Sequence, residues 1–141
     1  MIFKNNWTRT VATALLAAIT LSFGLAFAEA ATIVALGASN TYGKGVARNQ
    51  AYPAQLQAIL KANGKSVRVV NAGINGDTTE GMLRRLDRAV PNGTSVVIRQ
   101  PGGNDRRTGS QDRTSEIQSR LSARGISVVM LSNNMLSGLP R

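Results

Sequence analysis

The sequence predicts an α/β domain, a doubly wound parallel sheet between two layers of helix. Three observations predict it. Short runs of apolar and β-branched residues recur at 32–36, 67–70, 95–98 and 126–131. Segments with apolar residues at helical spacing lie between them, at 53–63, 79–90 and 115–124. Each of the first three strand-like runs ends in a stretch rich in Gly, Ser, Asn and Asp. The order βαβαβαβ argues parallel strands joined by right-handed crossovers. In such sheets ligands bind beyond the carboxyl ends of the strands.

The chain opens with a segment outside that pattern. Residues 1–10 carry Lys4 and Arg9 and no acid, and residues 11–28 carry no charge. Ala26-Phe27-Ala28 and Ala28-Glu29-Ala30 both have the A-x-A form that signal peptidase accepts. This is the layout of a secretory signal peptide. We therefore divide the chain into a signal peptide, 1–30, and one domain, 31–141, that is periplasmic or secreted. A retained membrane anchor is the competing reading, since the apolar run nears the ~18 residues that begin to suggest a span. Its Ala, Thr and Gly24 content makes it only moderately apolar, so stable insertion after cleavage is not expected.

The strands follow. TIVAL at 32–36 stops at Gly37, VRVV at 67–70 stops at Asn71-Ala72-Gly73, and SVVI at 95–98 precedes Pro101-Gly102-Gly103. ISVVML at 126–131 is the fourth. Continuous β-branched runs suit strands covered on both faces. Among the helices, 53–63 places Leu56, Ile59 and Leu60 on one face. Segment 79–90 does the same with Met82, Leu83, Leu86 and Val90, and 115–124 points Ile117, Leu121 and Ala123 inward. Asn63-Gly64, Pro91-Asn92-Gly93 and Gly125 end them.

Composition narrows the chemistry. The 141 residues are 43% hydrophobic, enough for one globular core. They contain neither Cys nor His, which removes disulfides, thiolate sites and imidazole bases from this chain. Aromatics at 4% and the lack of any nucleic-acid motif argue against a nucleic-acid partner. The net charge of +10 rests largely on arginine, in one group of Arg84, Arg85 and Arg88 and another of Arg99, Arg106, Arg107 and Arg113. A solvated basic surface is the simplest account; an anionic partner is the alternative.

Three loops stand at the strand ends, 37–46, 71–78 and 101–109. An ester-cleaving site needs a hydroxyl nucleophile on a tight turn and N–H donors aimed at the developing oxyanion. Ser39, directly after the first strand, suits the first role. The Gly76 backbone N–H, the Asn104 side-chain amide and the Ser39 N–H suit the second. Each has a plainer reading: a turn or capping serine, a turn glycine, a loop asparagine. Asp77 and Asp105 read as braces for their loops, Asp77 as the N-cap of the helix that follows. Arg106 and Arg107 read as a solvated pair, and Tyr42 and Met82 as packing residues.

These blocks resemble the SGNH (GDSL-type) hydrolases, in particular the extracytoplasmic arylesterase and acyl-CoA thioesterase-like branch. Gly37-Ala38-Ser39-Asn40-Thr41-Tyr42-Gly43 stands where that family has its nucleophile block. Asn71-Ala72-Gly73-Ile74-Asn75-Gly76-Asp77-Thr78 resembles the second block, and Gly102-Gly103-Asn104-Asp105 the third. The resemblance implies a flavodoxin-like three-layer α/β/α sandwich. It further implies a small ester or thioester as substrate, Ser39 as nucleophile, Gly76 and Asn104 in the oxyanion hole, and no metal or cofactor. Ala38 and Asn40 replace the family's Asp and Leu beside the nucleophile. The family's last block, Asp-x-x-His, has no counterpart. The chain is accordingly expected to be C-terminally truncated, without the final loop and helix, marginal in stability and impaired as an esterase. The alternative is a non-catalytic extracytoplasmic domain that binds an acylated lipid or glycan.

Overall fold

The computed structural model describes residues 30–100 and 102–131. The expected signal peptide, apart from Ala30, lies outside the described residues. The four expected strands form, as β1 (Ala31–Gly37), β2 (Val67–Gly73), β3 (Thr94–Arg99) and β4 (Ser127–Met130). They make one sheet in the order β2-β1-β3-β4, with every pairing parallel. In register, Val34 faces Val70 on one side and Val97 on the other, and Val97 faces Val128. These four β-branched residues share one side of the pleat.

Between β1 and β2 lie α1 (Ser39–Tyr42), a 3-10 turn (Arg48–Gln50) and α2 (Tyr52–Ala62). Between β2 and β3 lie α3 (Thr79–Arg84) and α4 (Leu86–Ala89). Between β3 and β4 lie α5 (Asn104–Thr108) and α6 (Thr114–Ala123). The core joins Val34, Leu36 and Val97 to Met82, Leu86 and Val90 and to Ile117, Leu121 and Ile126. So α3, α4 and α6 close one face of the sheet. No residue of α2 belongs to that core. Instead α2 packs along β2, where the Gln57 side chain donates to the Val67 carbonyl at 2.9 Å and accepts from the Val69 N–H at 2.7 Å. This satisfies edge-strand backbone groups that would otherwise need water.

Four expectations need correction. The helix expected over 79–90 is two short helices, because Arg85 leaves helical geometry (φ −105°, ψ 8°). Ile59 is 58% exposed rather than inward, and Ala123 is exposed as well. Arg99 is not part of a solvated surface. It is 1% exposed and points to the same face as Val97. There Nη2 donates to Thr114 Oγ1 at 2.8 Å and Nη1 approaches Met130 Sδ at 3.8 Å. Burial pulls its guanidinium below its usual range, and the charges of Asp112 and Asp105 offset part of that. Among the described residues, no helix is long and apolar enough to cross a membrane.

The strand order sets where a site can form. From β1 the chain first winds to β2, then crosses back over β1 to β3. The loops after β1 and β3 therefore diverge to opposite faces and leave a crevice between them.

Candidate active site

Ser39 is the first residue of α1, two residues past the end of β1. The Ser39 carbonyl accepts from the Gly43 and Lys44 N–H groups at 3.0 and 2.9 Å, and a left-handed Gly43 ends the single turn. Two contacts fix its place. Buried Thr41 donates from Oγ1 to Gln100 Oε1 at 3.0 Å, tying α1 to the end of β3. On the other side Gly73 lies so close to α1 that any Cβ there would overlap the Tyr42 backbone. The serine turn is thus wedged between the ends of β2 and β3.

Gly76 comes from the loop after β2. The Ile74 N–H donates to the Gly37 carbonyl at 3.2 Å and the Asp77 N–H to the Ile74 carbonyl at 3.2 Å, so the loop folds back over β1. Gly76 takes the left-handed conformation (φ 79°) this turn requires. Its N–H points at Ser39 Oγ, 3.2 Å away. Asn104 opens α5 after β3. Its Nδ2 donates to the Asp77 carbonyl at 2.7 Å, and its Oδ1 accepts from Arg107 Nη2 at 2.9 Å. Asn104 and Ser39 line one cavity of about 180 Å³, with Ala38, Asn40, Gln100, Gly102 and Gly103 completing the wall. The structure therefore brings Ser39, Gly76 and Asn104 together at the crevice between β1 and β3.

The two aspartates brace this arrangement. Asp77 is not the N-cap of α3. That place belongs to Thr78, whose Oγ1 accepts the Gly81 N–H at 3.1 Å. Asp77 Oδ2 instead pairs with Arg85 at 2.8 Å, both side chains only 11% exposed. Arg85 Nη2 also reaches the Gly37 carbonyl at 3.4 Å. Asp105, buried, accepts the Thr79 N–H and hydroxyl on Oδ1, each at 2.9 Å. Thr79 Oγ1 in turn accepts the Arg113 N–H at 2.7 Å. Both carboxylates are thus engaged with donors other than the Ser39 hydroxyl.

Sequence reasoning missed three contributors. Gln100 both lines the cavity and anchors Thr41; a polar residue closing an apolar strand just before Pro-Gly-Gly was the available signal. Arg85 was counted as surface charge, although it lies eight residues from Asp77 on a helical segment. The third is Arg107, whose contact to Asn104 follows from i, i+3 spacing on α5.

A model of the GDSL-like Lipase/Acylhydrolase family matches residues 35–137. Esterase TesA of Pseudomonas aeruginosa is 33% identical over 110 residues, which cover 74% of this chain and 55% of that protein. Among solved structures, AlinE4, an SGNH-hydrolase family esterase, aligns with a TM-score of 0.65 at 32% identity, over 72% of this chain and 58% of its own. A crystal structure of TesA aligns with a TM-score of 0.59 at 32% identity, over 70% of this chain and 58% of its own. The chain thus spans a little over half the length of these relatives.

Proposed function

The chain belongs to the GDSL-like lipase/acylhydrolase family, and from that premise we propose that it is the nucleophile-bearing domain of an extracytoplasmic serine esterase, with Ser39 as the attacking group. Ser39 Oγ adds to the carbonyl carbon of a small carboxylic ester or thioester, and its hydroxyl proton passes to water, which returns a proton to the departing group. The carbonyl oxygen becomes an oxyanion that accepts from the Ser39 N–H, the Gly76 N–H and Asn104 Nδ2. Collapse of the adduct breaks the bond to the leaving alcohol or thiol and leaves an acyl-serine, which water then hydrolyses. The observation that supports this best is the Gly76 N–H at 3.2 Å from Ser39 Oγ, beside a cavity that Asn104 also lines. Donors fixed before reaction spend no reorganisation energy when charge develops.

No residue of the 141 is histidine. A serine hydroxyl without a base is a weak nucleophile near neutral pH. We therefore place the activity of this chain, acting alone, near the ~10³–10⁴-fold over water that an oxyanion hole and binding retain when a triad is incomplete. The same absence favours a second reading, a non-catalytic domain that holds an acylated lipid or glycan in the crevice. Purified residues 31–141 with p-nitrophenyl acetate and an acyl thioester separate the two. Slow product release through an acyl-Ser39 adduct, seen by mass and absent in Ser39→Ala, is the expected result. Product release with no adduct on Ser39 would refute the serine mechanism, and saturable binding with neither adduct nor turnover would favour the second reading. The mass of the exported protein tests the processing site near residue 30.

A further inference from the structure

The Asn104 amide is held at both ends. Nδ2 donates to the Asp77 carbonyl at 2.7 Å, and Oδ1 accepts from Arg107 Nη2 at 2.9 Å. An amide turned over about its terminal torsion would set its oxygen against the Asp77 carbonyl and its NH2 against the guanidinium. Two acceptors and two donors would then face each other. Together the contacts permit one orientation. In it one Nδ2 hydrogen is spent on Asp77 and the second remains for another acceptor, on a residue that lines the cavity with Ser39.

Arg107 suits this task by its charge. Its side chain is exposed, and none of the ion pairs among the described residues includes it. The bond to Oδ1 is thus assisted by a full positive charge and is stronger than a neutral one. The Asp77 carbonyl that takes the other end is itself steadied, since the Asp77 side chain pairs with Arg85.

We propose that Arg107 is a positioning residue for acyl transfer: through Asn104 Oδ1 it locks the side-chain amide with Nδ2–H available to the oxyanion at Ser39. This rests on the reading of Ser39 and Asn104 given above. The test compares Arg107→Ala, Arg107→Lys, Asn104→Ala and the double variant Arg107→Ala/Asn104→Ala with the parent chain. One readout is the single-turnover rate at which p-nitrophenyl acetate acylates Ser39, followed by mass. The other is the pair of Asn104 side-chain NH2 resonances in ¹H–¹⁵N spectra. Arg107→Ala should slow acylation about tenfold, less than the ~10²–10³-fold that loss of a whole oxyanion donor brings. It should also shift the Asn104 NH2 resonances. Arg107→Lys should recover most of the rate, and Arg107→Ala should add nothing once Asn104 is Ala. Parent-like acylation with unmoved NH2 resonances in Arg107→Ala would overturn the inference and leave the serine site standing. Acylation indifferent to both Ser39→Ala and Asn104→Ala would instead overturn the functional reading. The NH2 resonances would still decide whether Arg107 holds the amide.

Discussion

The two faces of the sheet are closed to different degrees. Under α3, α4 and α6, Val34, Leu36, Val97, Ile117 and Leu121 are wholly buried. On the opposite face Ala35 is buried, but Val129 is 50% exposed and Ile59 of the covering helix is solvated. Charge divides in the same way. All five ion pairs among the described residues join positions between 77 and 124. Residues 30–76 carry Lys44, Arg48, Lys61, Lys65 and Arg68 and no carboxylate at all. The difference teaches where the site gets its rigidity. Asp77–Arg85 and Asp105–Thr79 both link the site loops to α3 and α4, on the sealed face. A buried polar group must find a partner, while a solvated cation need not. The sealed face therefore steadies the Asp77 carbonyl that takes Asn104 Nδ2, while the exposed Arg107 holds the other end of the amide.

The sharpest way to break this comparison is Leu121→Ala. A cavity in the sealed face should cost about 2–5 kcal/mol, read as a shift in the urea midpoint. A loss no larger than that of an exposed valine would erase the distinction between the faces. Asp105→Ala comes next. It strips the Thr79 N–H and hydroxyl of their buried acceptor, at about 1–3 kcal/mol, and should perturb the Asn104 NH2 resonances. Unchanged resonances would mean the brace does not reach the site.

Asp112 offers a smaller and pH-dependent test. Hydrogen bonds from the Thr114 hydroxyl and N–H hold its carboxyl below the usual range, and the Arg99 charge adds to this. Its folded pKa is thus lower than the ~3.9 of an unfolded aspartate. The stabilisation it gives is complete above that value and is lost as pH falls through the lower folded pKa. Asp112→Asn should flatten stability against pH between pH 5 and 2, and equal slopes in the two proteins would refute the coupling. The smallest effect belongs to Val129→Thr on the open face, within about 0.5 kcal/mol. A loss above 2 kcal/mol would show that this position is covered in solution.

Much of the sealed face could be read from spacing. Met82, Leu86, Val90, Ile117 and Leu121 recur at 3–4 residues, and all five are buried. The same signal failed at Ile59, because periodicity says which residues share a helix face and not how completely a neighbour covers it. Arg99 failed in the opposite direction. Alternation along β3 places it inward with Val97, but charge argued for solvent. Only Thr114 and Met130, brought in from α6 and β4, make the interior position tenable. Arg107 went unread because an i, i+3 contact matters only once the partner amide is known to face a site.

Periodicity and turn residues are local properties, so residue order alone was enough to specify four parallel strands, their crossovers and three polar loops at one edge. The distances that make those loops a candidate site are not local. Gly76 meets Ser39 across 37 positions, and Asn104 meets Asp77 across 27. Those meetings depend on how tightly α1 seats against Gly73 and on which way one amide turns. Packing and hydrogen-bond satisfaction set both, and they exist only once the layers have closed.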